Sequence, residues 1–559
     1  MNYLQETENY IISKAVTPEA DTRGLLVYSQ ELKNGDCCLP CFKLSKAMRL
    51  SPVAIADKIK ETMTDLPDFI DRVESVSGYL NFYFNREAMA KQVLDNVLSR
   101  GEKFAPYAQN GKTVCLDYSS INIAKPFHVG HLLTTVIGGS LYRIYKFLGY
   151  NAVGINHLGD WGTQFGKLLT AYFKWGDGEQ TMDSLLDLYV RFHKEAEKDD
   201  SLNDEARMWF KKIEMGDELA TSVFENFKRI TLAEVGKVYD RLGIVFDSYN
   251  GESFYNDKLQ DVVDELKAKN LLCESEGAMV VPLDEYGMPP CLILKSDGAS
   301  LYATRDLACA KYRKQTYDFD KNLYVVAYQQ NLHFKQVFKV LELMGYEWAS
   351  DCVHVPFGMV SLEGVGALST RNGNVVKLID VIETAVEKTK AIIAEKNPDL
   401  ENADETAEAI GVGAVVFGAL SNGRIKDMVF SFDKALNFDG ETGPYLQYTH
   451  ARCCSVLSKA QPSGEADCKE LIDDDTFTLI RQLNAFDDTV RSAAEKYEPS
   501  ILTRYLIDLA QAFNKFYIGH RIISDDAAAM NARLTITKAV KNTLKNGMEL
   551  ILLKAPEKM

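Results

Sequence analysis

The chain has 559 residues, of which 46% are hydrophobic and 25% charged, so it is long enough for several domains and too apolar to be disordered throughout. No apolar run reaches the roughly 18 residues that a membrane-spanning helix needs, and the acidic amino terminus lacks a signal-peptide pattern. The formal net charge of −16 argues against nucleic-acid binding over the whole surface, although a local basic track would suffice.

The cysteines predict a reducing environment. There are eleven of them, an odd number, and they are scattered without regular spacing, which is typical of reduced thiols in a cytoplasmic protein. Cys37, Cys38 and Cys41 form the tightest group. Because no second pair of Cys or His residues lies nearby in the sequence, we predict no metal site.

Residues 1–107 are predicted to form a separate α+β domain. A helical pattern runs from Ser51 to Met63, and the stretch from Tyr79 to Phe84 has the pattern of a strand. The polar stretch 105–112 then separates this domain from the next region.

Residues 108–170 carry the most informative pattern of the chain. The apolar strand 113–116 is followed by a helical pattern from Leu132 to Leu148. His128, Gly130 and His131 lie at their junction, where unpaired backbone N–H groups and the helix dipole favour an anion. Gly130 lets a ligand approach the backbone, and two imidazoles suit a phosphate-bearing substrate. We therefore predict a phosphate site at this junction.

Residues 171–290 are predicted to be an inserted connective segment, because their pattern is polar and helical and they carry a run of charges at 194–200. Directly after this segment, the short stretches 292–295 and 301–304 flank Ser-Asp-Gly-Ala. Two short apolar stretches around such a tetrapeptide favour a β-hairpin.

Residues 291–400 are predicted to complete a parallel sheet. Strand 323–328 precedes helix 334–344, and strand 353–362 precedes a glycine-containing loop. Together with 108–170 they give two strand–helix–strand halves. This is the doubly wound, Rossmann-like α/β arrangement, which places its site at the carboxyl ends of the strands.

Residues 401–559 are predicted to be all helical. Helical patterns cover 407–420, 446–457, 477–494, 501–517 and 532–553. Tyr445, Tyr448 and Arg452 are three and four residues apart and therefore share one helix face. Aromatic side chains beside an arginine suit stacking against splayed RNA bases.

Motifs in all of these regions resemble, in the same order, those of the arginyl-tRNA synthetases, a class I family. The resemblance begins with the His-x-Gly-His form of the class I signature at 128–131 and covers essentially the whole chain. The other motifs that carry it are Ser119-Ser-Ile-Asn122, Lys125-Pro-Phe127, Asn156-His-Leu-Gly-Asp-Trp-Gly-Thr-Gln-Phe-Gly166, Gly251-Glu-Ser253, Lys295-Ser-Asp-Gly298, Tyr302-Ala-Thr-Arg-Asp306, Gln330-Asn-Leu-His-Phe334, Ser369-Thr-Arg-Asn-Gly373, Tyr445-Leu-Gln-Tyr448 and Ala555-Pro-Glu-Lys-Met559.

The resemblance implies a reaction, its partners and a domain plan. The chain is expected to use ATP, with Mg²⁺, to attach L-arginine to the 3′ end of tRNA(Arg) through an arginyl-adenylate. The expected domains are a tRNA-contacting α+β domain at 1–107, the two catalytic halves at 108–170 and 291–400 around the insert 171–290, and a helical anticodon-binding domain at 401–559. A cytoplasmic monomer without a membrane partner is expected.

The resemblance also implies roles for named residues. Lys125, His128, Gly130 and His131 are expected at the catalytic centre. Expected ATP contacts are Lys125, His128, His131, Ser369, Thr370 and Arg371. Expected arginine contacts are Asp117, Ser119, Asn122, His131, Tyr302, Asp306 and Gln330. Expected tRNA contacts are Tyr79, Asn81, Tyr445, Tyr448, Arg452 and Met559. No metal-binding residue is expected.

The second class I signature departs from its usual form. Many class I synthetases have Lys-Met-Ser-Lys-Ser, whereas this chain has Ala367-Leu-Ser-Thr-Arg371, so that Ala367 and Thr370 replace both lysines. The resemblance implies that Lys125 substitutes for them, with Arg371 and Lys377 as further nearby cations. The alternative interpretation is that 364–373 is only a flexible turn.

The geometry of a guanidinium explains why acidic residues are expected around arginine. Its planar fork of five donors matches rigidly held carboxylates, and each charge-assisted hydrogen bond is worth roughly 1.5–3 kcal/mol. Asp306 is equally compatible with an ordinary helix N-cap. Tyr79 and Asn81 are equally compatible with the solvated face of a strand, and the Tyr445–Tyr448 stripe with a helix core.

Three other functions compete with this interpretation. A glutaminyl-type synthetase lacks the acidic pocket, and a cysteinyl-type synthetase needs zinc ligands that the sequence does not offer. A small-molecule nucleotidyltransferase would not need so large a helical domain. A non-catalytic RNA-binding relative would have no use for His128, His131 and Lys125 together with the pocket.

Overall fold

The computed structural model describes residues 2–14, 21–29, 32–178, 180–295, 302–364 and 376–559. Its first region is an antiparallel four-stranded sheet with helices packed on it, in strand order β1-β2-β4-β3. The strands are β1 (Val27–Tyr28), β2 (Cys37–Pro40), β3 (Ile70–Val76) and β4 (Tyr79–Phe84), and the helices are α1 (Tyr3–Ser13), α2 (Ser45–Met48), α3 (Pro52–Glu61) and α4 (Arg86–Ser99). The predicted helix after Ser51 and the strand at 79–84 are confirmed.

Ser51 explains why α3 begins where it does. Its hydroxyl accepts a hydrogen bond from the backbone N–H of Ala54, and Pro52 occupies the first helical position, where no N–H is needed. Asn85 caps α4 in the same way through Ala88. The apolar side of the sheet packs against α1, where the ring of Tyr3 lies 5.5 Å from that of Phe84.

The central region is a four-stranded parallel sheet of order β11-β10-β5-β6, as predicted for the doubly wound fold. Its strands are β5 (Thr113–Asp117), β6 (Asn151–Ile155), β10 (Lys321–Tyr324) and β11 (Cys352–His354). The helices around it are α5 (Leu132–Phe147), α6 (Thr163–Trp175), α11 (Tyr302–Tyr317) and α12 (Asn331–Leu343). Helix α5 is buried on nearly all sides, because the C-terminal helices cover the face turned away from the sheet.

The connective segment is less purely helical than expected. It contains α7 (Met182–Ala196), α8 (Ser201–Glu214), α9 (Glu218–Leu242) and α10 (Leu259–Ala268), followed by an antiparallel sheet of β7 (Cys273–Ser275), β8 (Ala278–Val281) and β9 (Cys291–Leu294). The predicted hairpin 292–304 is wrong. Strand β9 pairs with β8 instead, and residues 302–304 begin helix α11, because the apolar stretch was too short to distinguish a strand from a helix.

The strand predicted at 353–362 is also wrong in its length. It is divided into β11 and β12 (Val360–Leu362), which belong to different sheets, because Pro356 and Gly358 interrupt the extended chain between them. Strand β12 pairs in parallel with β13 (Met428–Phe430), which the sequence did not predict. The strand predicted at 323–328 is shorter, since it ends at Tyr324.

The C-terminal region is helical apart from β13, as expected. Its helices are α13 (Leu378–Lys396), α14 (Ala403–Leu420), α15 (Phe432–Ala435), α16 (Gly443–Lys459), α17 (Asp474–Asn484), α18 (Phe486–Glu495), α19 (Ser500–Gly519) and α20 (Ala527–Leu550). The helix predicted at 477–494 is therefore two helices that meet at Ala485. Among the described residues, none of the helices combines the length and apolarity needed to cross a bilayer.

Candidate active site and RNA-contacting surfaces

The candidate site lies at the carboxyl edge of the parallel sheet, where β5 ends at Asp117 and the chain loops into α5. The loop is held in place from several sides. Ser119 and Ser120 adopt left-handed backbone conformations, with φ of 69° and 46°, and the Ser119 N–H donates to Thr134 Oγ1. The Ala124 N–H donates to Thr231 Oγ1 on α9. The inserted segment therefore helps to fix the loop that carries the two histidines.

Backbone groups of the same loop contact the Nδ1 atoms of both histidines. The Gly130 N–H donates to Nδ1 of His128 at 3.0 Å, and the His128 N–H donates to Nδ1 of His131 at 3.2 Å. An Nδ1 atom that accepts a hydrogen bond leaves the proton of a neutral imidazole on Nε2. This applies to His128, whereas Nδ1 of His131 also lies 3.3 Å from the His128 carbonyl oxygen, so that a hydrogen bond is available to either tautomer of that ring. The ring centres are 4.1 Å apart, and the pair therefore presents neighbouring imidazole groups with an Nε2–H donor on His128. Such donors match the oxygens of a phosphate.

Both histidines are held in the neutral form. Burial, together with the neighbouring His128, lowers the pKa of His131 to about 3. Burial also lowers the pKa of His128, with Lys125 adding to the effect. Near neutral pH the pair therefore contributes hydrogen-bond donors, and the positive charge of this site comes from elsewhere.

Gly130 is required by the histidine itself. A Cβ atom at this position would lie 2.7 Å from Cε1 of His128, because the imidazole folds back over the glycine to reach its N–H. The sequence predicted that a glycine here admits a ligand to the backbone, and the structure shows that it also admits the His128 ring.

Lys125 supplies the charge beside the histidines. It is partly buried, and burial lowers its pKa, while the carboxyl group of Glu252 opposes that shift. The pKa of Glu252 is in turn raised to about 7 by burial, against the opposing charge of Arg305 and with Asp160 and Asp306 adding to the rise. Glu252 lies in the Gly251-Glu-Ser253 motif but was given no role from the sequence.

The segment that carries Ser369, Thr370 and Arg371 lies outside the described residues. The chain that follows it is attached to the histidine loop. The Val129 N–H donates to the Val376 carbonyl, and the Leu378 N–H donates to the Phe127 carbonyl. The ammonium group of Lys377 lies 2.6 Å from Asp183 Oδ1 on α7, so this cation is already paired with a carboxylate of the inserted segment.

The two predicted acidic contacts of arginine have different surroundings. Asp117 is only 5% exposed, and its Oδ2 atom accepts a hydrogen bond at 2.6 Å from Nη2 of Arg313 on α11. Its Oδ1 atom accepts from the Ser120 hydroxyl at 2.7 Å. Asp306 lies one helical turn inside α11 and accepts from Nε2 of His333 at 2.5 Å. The helix-cap interpretation of Asp306 is therefore wrong.

The other residues predicted to contact arginine differ in how accessible they are. Asn122, Gln330 and Tyr302 are exposed, and Tyr302 has 72% of its surface free at the start of α11. Ser119 is different, because its hydroxyl is buried between Thr135 Oγ1 and the Tyr239 hydroxyl at 2.9 and 2.7 Å. The structure thus directs the Ser119 side chain into the core, away from an open pocket.

Three residues that the sequence left unassigned complete the site. His157 follows β6, and its pKa is lowered by burial and by Arg313, while Asp117 and Asp306 act in the opposite direction. His333 and Arg313 hold the two carboxylates. His157 and His333 stand inside motifs that carried the family resemblance, which was the available signal. Arg313 lies outside those motifs, and nothing in its local sequence marks it.

Asp160 joins three separate segments of the chain. Its buried carboxylate accepts from the N–H and the hydroxyl of Ser253 at 2.9 and 2.7 Å. It also accepts from Nζ of Lys228 on α9 at 3.0 Å. The segment after β6, the segment around Ser253 and helix α9 therefore share one carboxylate.

The two residues predicted to contact tRNA in the first region differ in accessibility. Tyr79 is 40% exposed and makes an edge-to-face contact with Phe42, their ring centres being 4.7 Å apart. Asn81 is only 5% exposed although it shares a strand face with Tyr79, since the backbone at Gly35 packs against it. The ring of Tyr79 is therefore available for stacking, with Phe42 as a neighbour that the sequence did not indicate, whereas the amide of Asn81 is not.

The C-terminal helices bring an aromatic cluster to the surface. Arg452 lies over the ring of Tyr448 at 4.9 Å and donates to Asn514 Oδ1 on α19. The amide of Asn514 donates to the Tyr445 hydroxyl at 2.8 Å. The predicted shared face of 445, 448 and 452 is confirmed, and Tyr517 of α19 adds a second ring 5.0 Å from Arg452. The Met559 carbonyl accepts from Asn397 at 3.3 Å.

Three family models match the sequence. Residues 93–432 match "tRNA synthetases class I (R), catalytic domain". Residues 446–559 match the "DALR anticodon binding domain", and residues 4–84 match the "Arginyl tRNA synthetase N terminal domain".

Individual proteins show the same similarity over nearly the full length. The arginine–tRNA ligases of Alkaliphilus metalliredigens and Clostridium beijerinckii are 52% and 53% identical over 532 residues, with 94% of each chain covered. The structure also resembles the Thermus thermophilus arginyl-tRNA synthetase, with a TM-score of 0.85 at 26% identity and 100% of both chains covered. The Plasmodium falciparum enzyme gives 0.84 at 25% identity, covering 100% of this chain and 99% of that one.

Proposed function

The chain belongs to the class I arginyl-tRNA synthetase family, and on that premise we propose how its own residues perform the reaction. It attaches L-arginine to tRNA in translation, using ATP. In the first step the arginine carboxylate attacks the α-phosphate of ATP, which releases pyrophosphate and leaves arginyl-adenylate. In the second step a hydroxyl of the terminal tRNA ribose takes the arginyl group and AMP leaves.

His128 and His131 act on the phosphates in this proposal. Their ring N–H groups, which is Nε2–H for His128, donate to phosphate oxygens and stabilise the charge that develops when the carboxylate attacks. Lys125 adds a full positive charge beside them, in place of the lysines that Ala367 and Thr370 replace. Mg²⁺ arrives with the triphosphate as part of the substrate. Ser369, Thr370 and Arg371 are proposed to complete the ATP contacts.

Asp117 and Asp306 receive the substrate guanidinium, with Asn122, Tyr302 and Gln330 at the rim. Both carboxylates are held by neighbouring side chains, which fixes the direction from which a planar fork of donors must approach. The observation that carries the proposal is this juxtaposition: two imidazole donors and two oriented carboxylates at the same edge of one parallel sheet.

We assign the RNA contacts by region. Residues 1–107 contact the tRNA body through Tyr79, and residues 401–559 contact the anticodon through Tyr445, Tyr448 and Arg452. Met559 is proposed as a further contact of the same region. The partner is tRNA(Arg), and the enzyme works as a cytoplasmic monomer. Light scattering during size-exclusion chromatography should then give a mass near 62.7 kDa.

The deciding experiment is an aminoacylation assay with total tRNA, ATP and each of the twenty amino acids in turn. Only arginine should become attached to tRNA, and the label should appear in arginine-accepting tRNA alone. A His131→Asn variant serves as the catalytic control and should lose most of the turnover without losing its fold. Charging with another amino acid, or none with arginine, would contradict the proposal.

A further inference from the structure

We propose that Arg313 is a positioning residue for substrate recognition: its guanidinium holds the Asp117 carboxylate in place and cancels its charge, so that Asp306 alone matches the charge of the incoming arginine. The inference rests on the proposed function of this site. It assigns different roles to Asp117 and Asp306, which the sequence analysis expected to contact the substrate in the same way.

Arg313 has one defined partner. The residue is 0% exposed, and Nη2 donates to Asp117 Oδ2 at 2.6 Å. Nε and Nη1 make no hydrogen bond to any residue in the described parts of the chain. The ring of Tyr324 lies 5.3 Å from the guanidinium carbon on another side. An arginine buried this deeply keeps its charge, so the carboxylate of Asp117 is its counter-ion.

Asp117 is held by hydrogen bonds at both oxygens. Arg313 occupies one lone pair of Oδ2, and the Ser120 hydroxyl occupies one of Oδ1 at 2.7 Å. The backbone of Asp117 is fixed as well, because it is paired with Tyr324 of β10 and with Ile155 of β6. Each carboxylate oxygen keeps a further lone pair for a second donor. Asp117 can thus accept from a substrate guanidinium while its direction is already determined.

The two carboxylates of the pocket have different charged neighbours. Asp117 is balanced by Arg313, and Asp160 is balanced by Lys228 at 3.0 Å. Arg305 donates to the backbone carbonyl of Glu252 and to Asn256 Oδ1 at 2.8 Å. In the described parts of the chain, Asp306 accepts a hydrogen bond from His333 and from no cationic side chain, although the charge of Arg305 acts on it from further away. Asp117 is therefore the carboxylate with a directly bonded counter-ion, and Asp306 is the one that lacks it.

Stability alone does not account for the pair. Taking both ions out of water costs about as much as their attraction returns, so that a buried ion pair contributes little net stability. A purely structural role would therefore predict that conservative changes at Arg313 alter melting and leave substrate selection intact. A positioning role predicts the opposite pattern, which makes the two distinguishable.

The test uses Arg313→Lys in the full-length enzyme, because lysine keeps the charge but loses the planar fork. The Michaelis constant for arginine should rise by about tenfold or more, while that for ATP stays within about twofold. Arg241→Lys is the matched control, since Arg241 makes a bidentate pair with Glu408 outside the site at 2.7 and 2.8 Å. It should change neither constant by more than about twofold.

A double-mutant cycle tests whether Arg313 acts through Asp117. In an Asp117→Asn background, Arg313→Lys should raise the arginine Michaelis constant by no more than about twofold, because the residue it positions has lost its charge. The full effect in that background would overturn the proposal. So would a lowered melting temperature with an unchanged arginine Michaelis constant.

Ser120→Ala keeps the proposal testable if Arg313→Lys does not fold, because it removes the other hydrogen bond to Asp117 without leaving a buried charge. It should raise the arginine Michaelis constant selectively, by about threefold. An unchanged constant would contradict the positioning role. If the unmodified enzyme charges tRNA with arginine while these variants behave normally, only this inference fails; if it does not charge arginine, the proposed function fails.

Discussion

Lys125 is the residue proposed to replace the two lysines that are missing from the second signature. Replacing it with alanine should lower kcat by at least about tenfold and leave the arginine Michaelis constant nearly unchanged, because a charge that acts on the developing phosphate charge contributes to the transition state. Lys377→Ala is the control, since that ammonium is paired with Asp183 and should be nearly silent. Normal turnover of Lys125→Ala with loss in Lys377→Ala would reverse the assignment.

Asp306 should carry the charge that selects arginine. Asp306→Asn keeps the shape of the side chain, so that melting and ATP affinity should stay near normal while the arginine Michaelis constant rises by about tenfold or more. Asp318→Asn, in the exposed turn after the same helix, should change neither. Calorimetric titration of arginine, with tRNA present, checks the binding directly. Equal affinity in the two variants would place the guanidinium site elsewhere.

The raised pKa of Glu252 predicts that the stability of the protein depends on pH. Its folded-state pKa is raised to about 7 by burial, so the charged form costs stability as the pH rises from about 4.5 through 7. The free energy of unfolding of Glu252→Gln should therefore equal that of the unmodified protein below pH 4.5. It should exceed it by a growing amount as the pH rises, and the difference should level off above pH 7 at about 3 kcal/mol. Thermal melts at pH 5 and pH 8 measure it.

The exposed Glu274 in β7 provides the matched change for that experiment. Glu274→Gln should give the same difference in melting temperature at pH 5 and at pH 8. A Glu252→Gln variant that behaved like Glu274→Gln at both pH values would show that the buried carboxyl group bears no such cost.

At the scale of residues, the sequence predicted which side chains belong to the site better than it predicted which side chains contact each other. His128 and His131 were predicted to stand at the junction of a strand and a helix, and the structure confirms their placement directly before α5. The pairing of Asp117 with Arg313 was not predictable, because the two residues are 196 positions apart and neither has a local pattern that points to the other. The hydrogen bonds of the Ser119 hydroxyl to Thr135 and Tyr239 were likewise not predictable from its local sequence.

At the scale of elements, close helix contacts depend on single glycines. A Cβ atom on Gly166 of α6 would lie 1.9 Å from the Ala206 carbonyl oxygen on α8. Gly166→Ala should therefore force the helices apart and destabilise the protein by about 1–3 kcal/mol. Gly236→Ala on α9 is the control, because nothing lies within 4 Å of the added atom. It should stabilise by roughly 0.5–1 kcal/mol, and denaturant unfolding compares the two.

The long elements were predictable because their apolar patterns repeat over many residues. Helices α5, α14, α16, α19 and α20 all appear where the three-and-four spacing indicated. The failures occur in short segments. The stretch 301–304 gave too few residues to separate a strand from a helix, and Pro356 divided one predicted strand between two sheets.

At the scale of the whole molecule, activation should depend on tRNA. The signature segment has lost two lysines, and Lys377 is held by Asp183, so the protein alone offers few cations to the triphosphate. ATP–pyrophosphate exchange with arginine and ATP should therefore be close to background until tRNA(Arg) is added. Periodate-oxidised tRNA, which binds but cannot accept arginine, should restore exchange. Robust exchange in the absence of RNA would exclude this dependence.

The shared carboxylate of Asp160 has an evolutionary consequence. Ser253, Lys228 and Asp160 come from three separate segments. Replacing Asp160 removes a partner from both of the others, and replacing either of them removes one of the partners of Asp160. A lineage that changes one of them is therefore expected to change or compensate the others before fitness recovers. Some of the residues by which such a sequence is recognised as a synthetase are then kept because they constrain one another structurally, and not because they take part in catalysis.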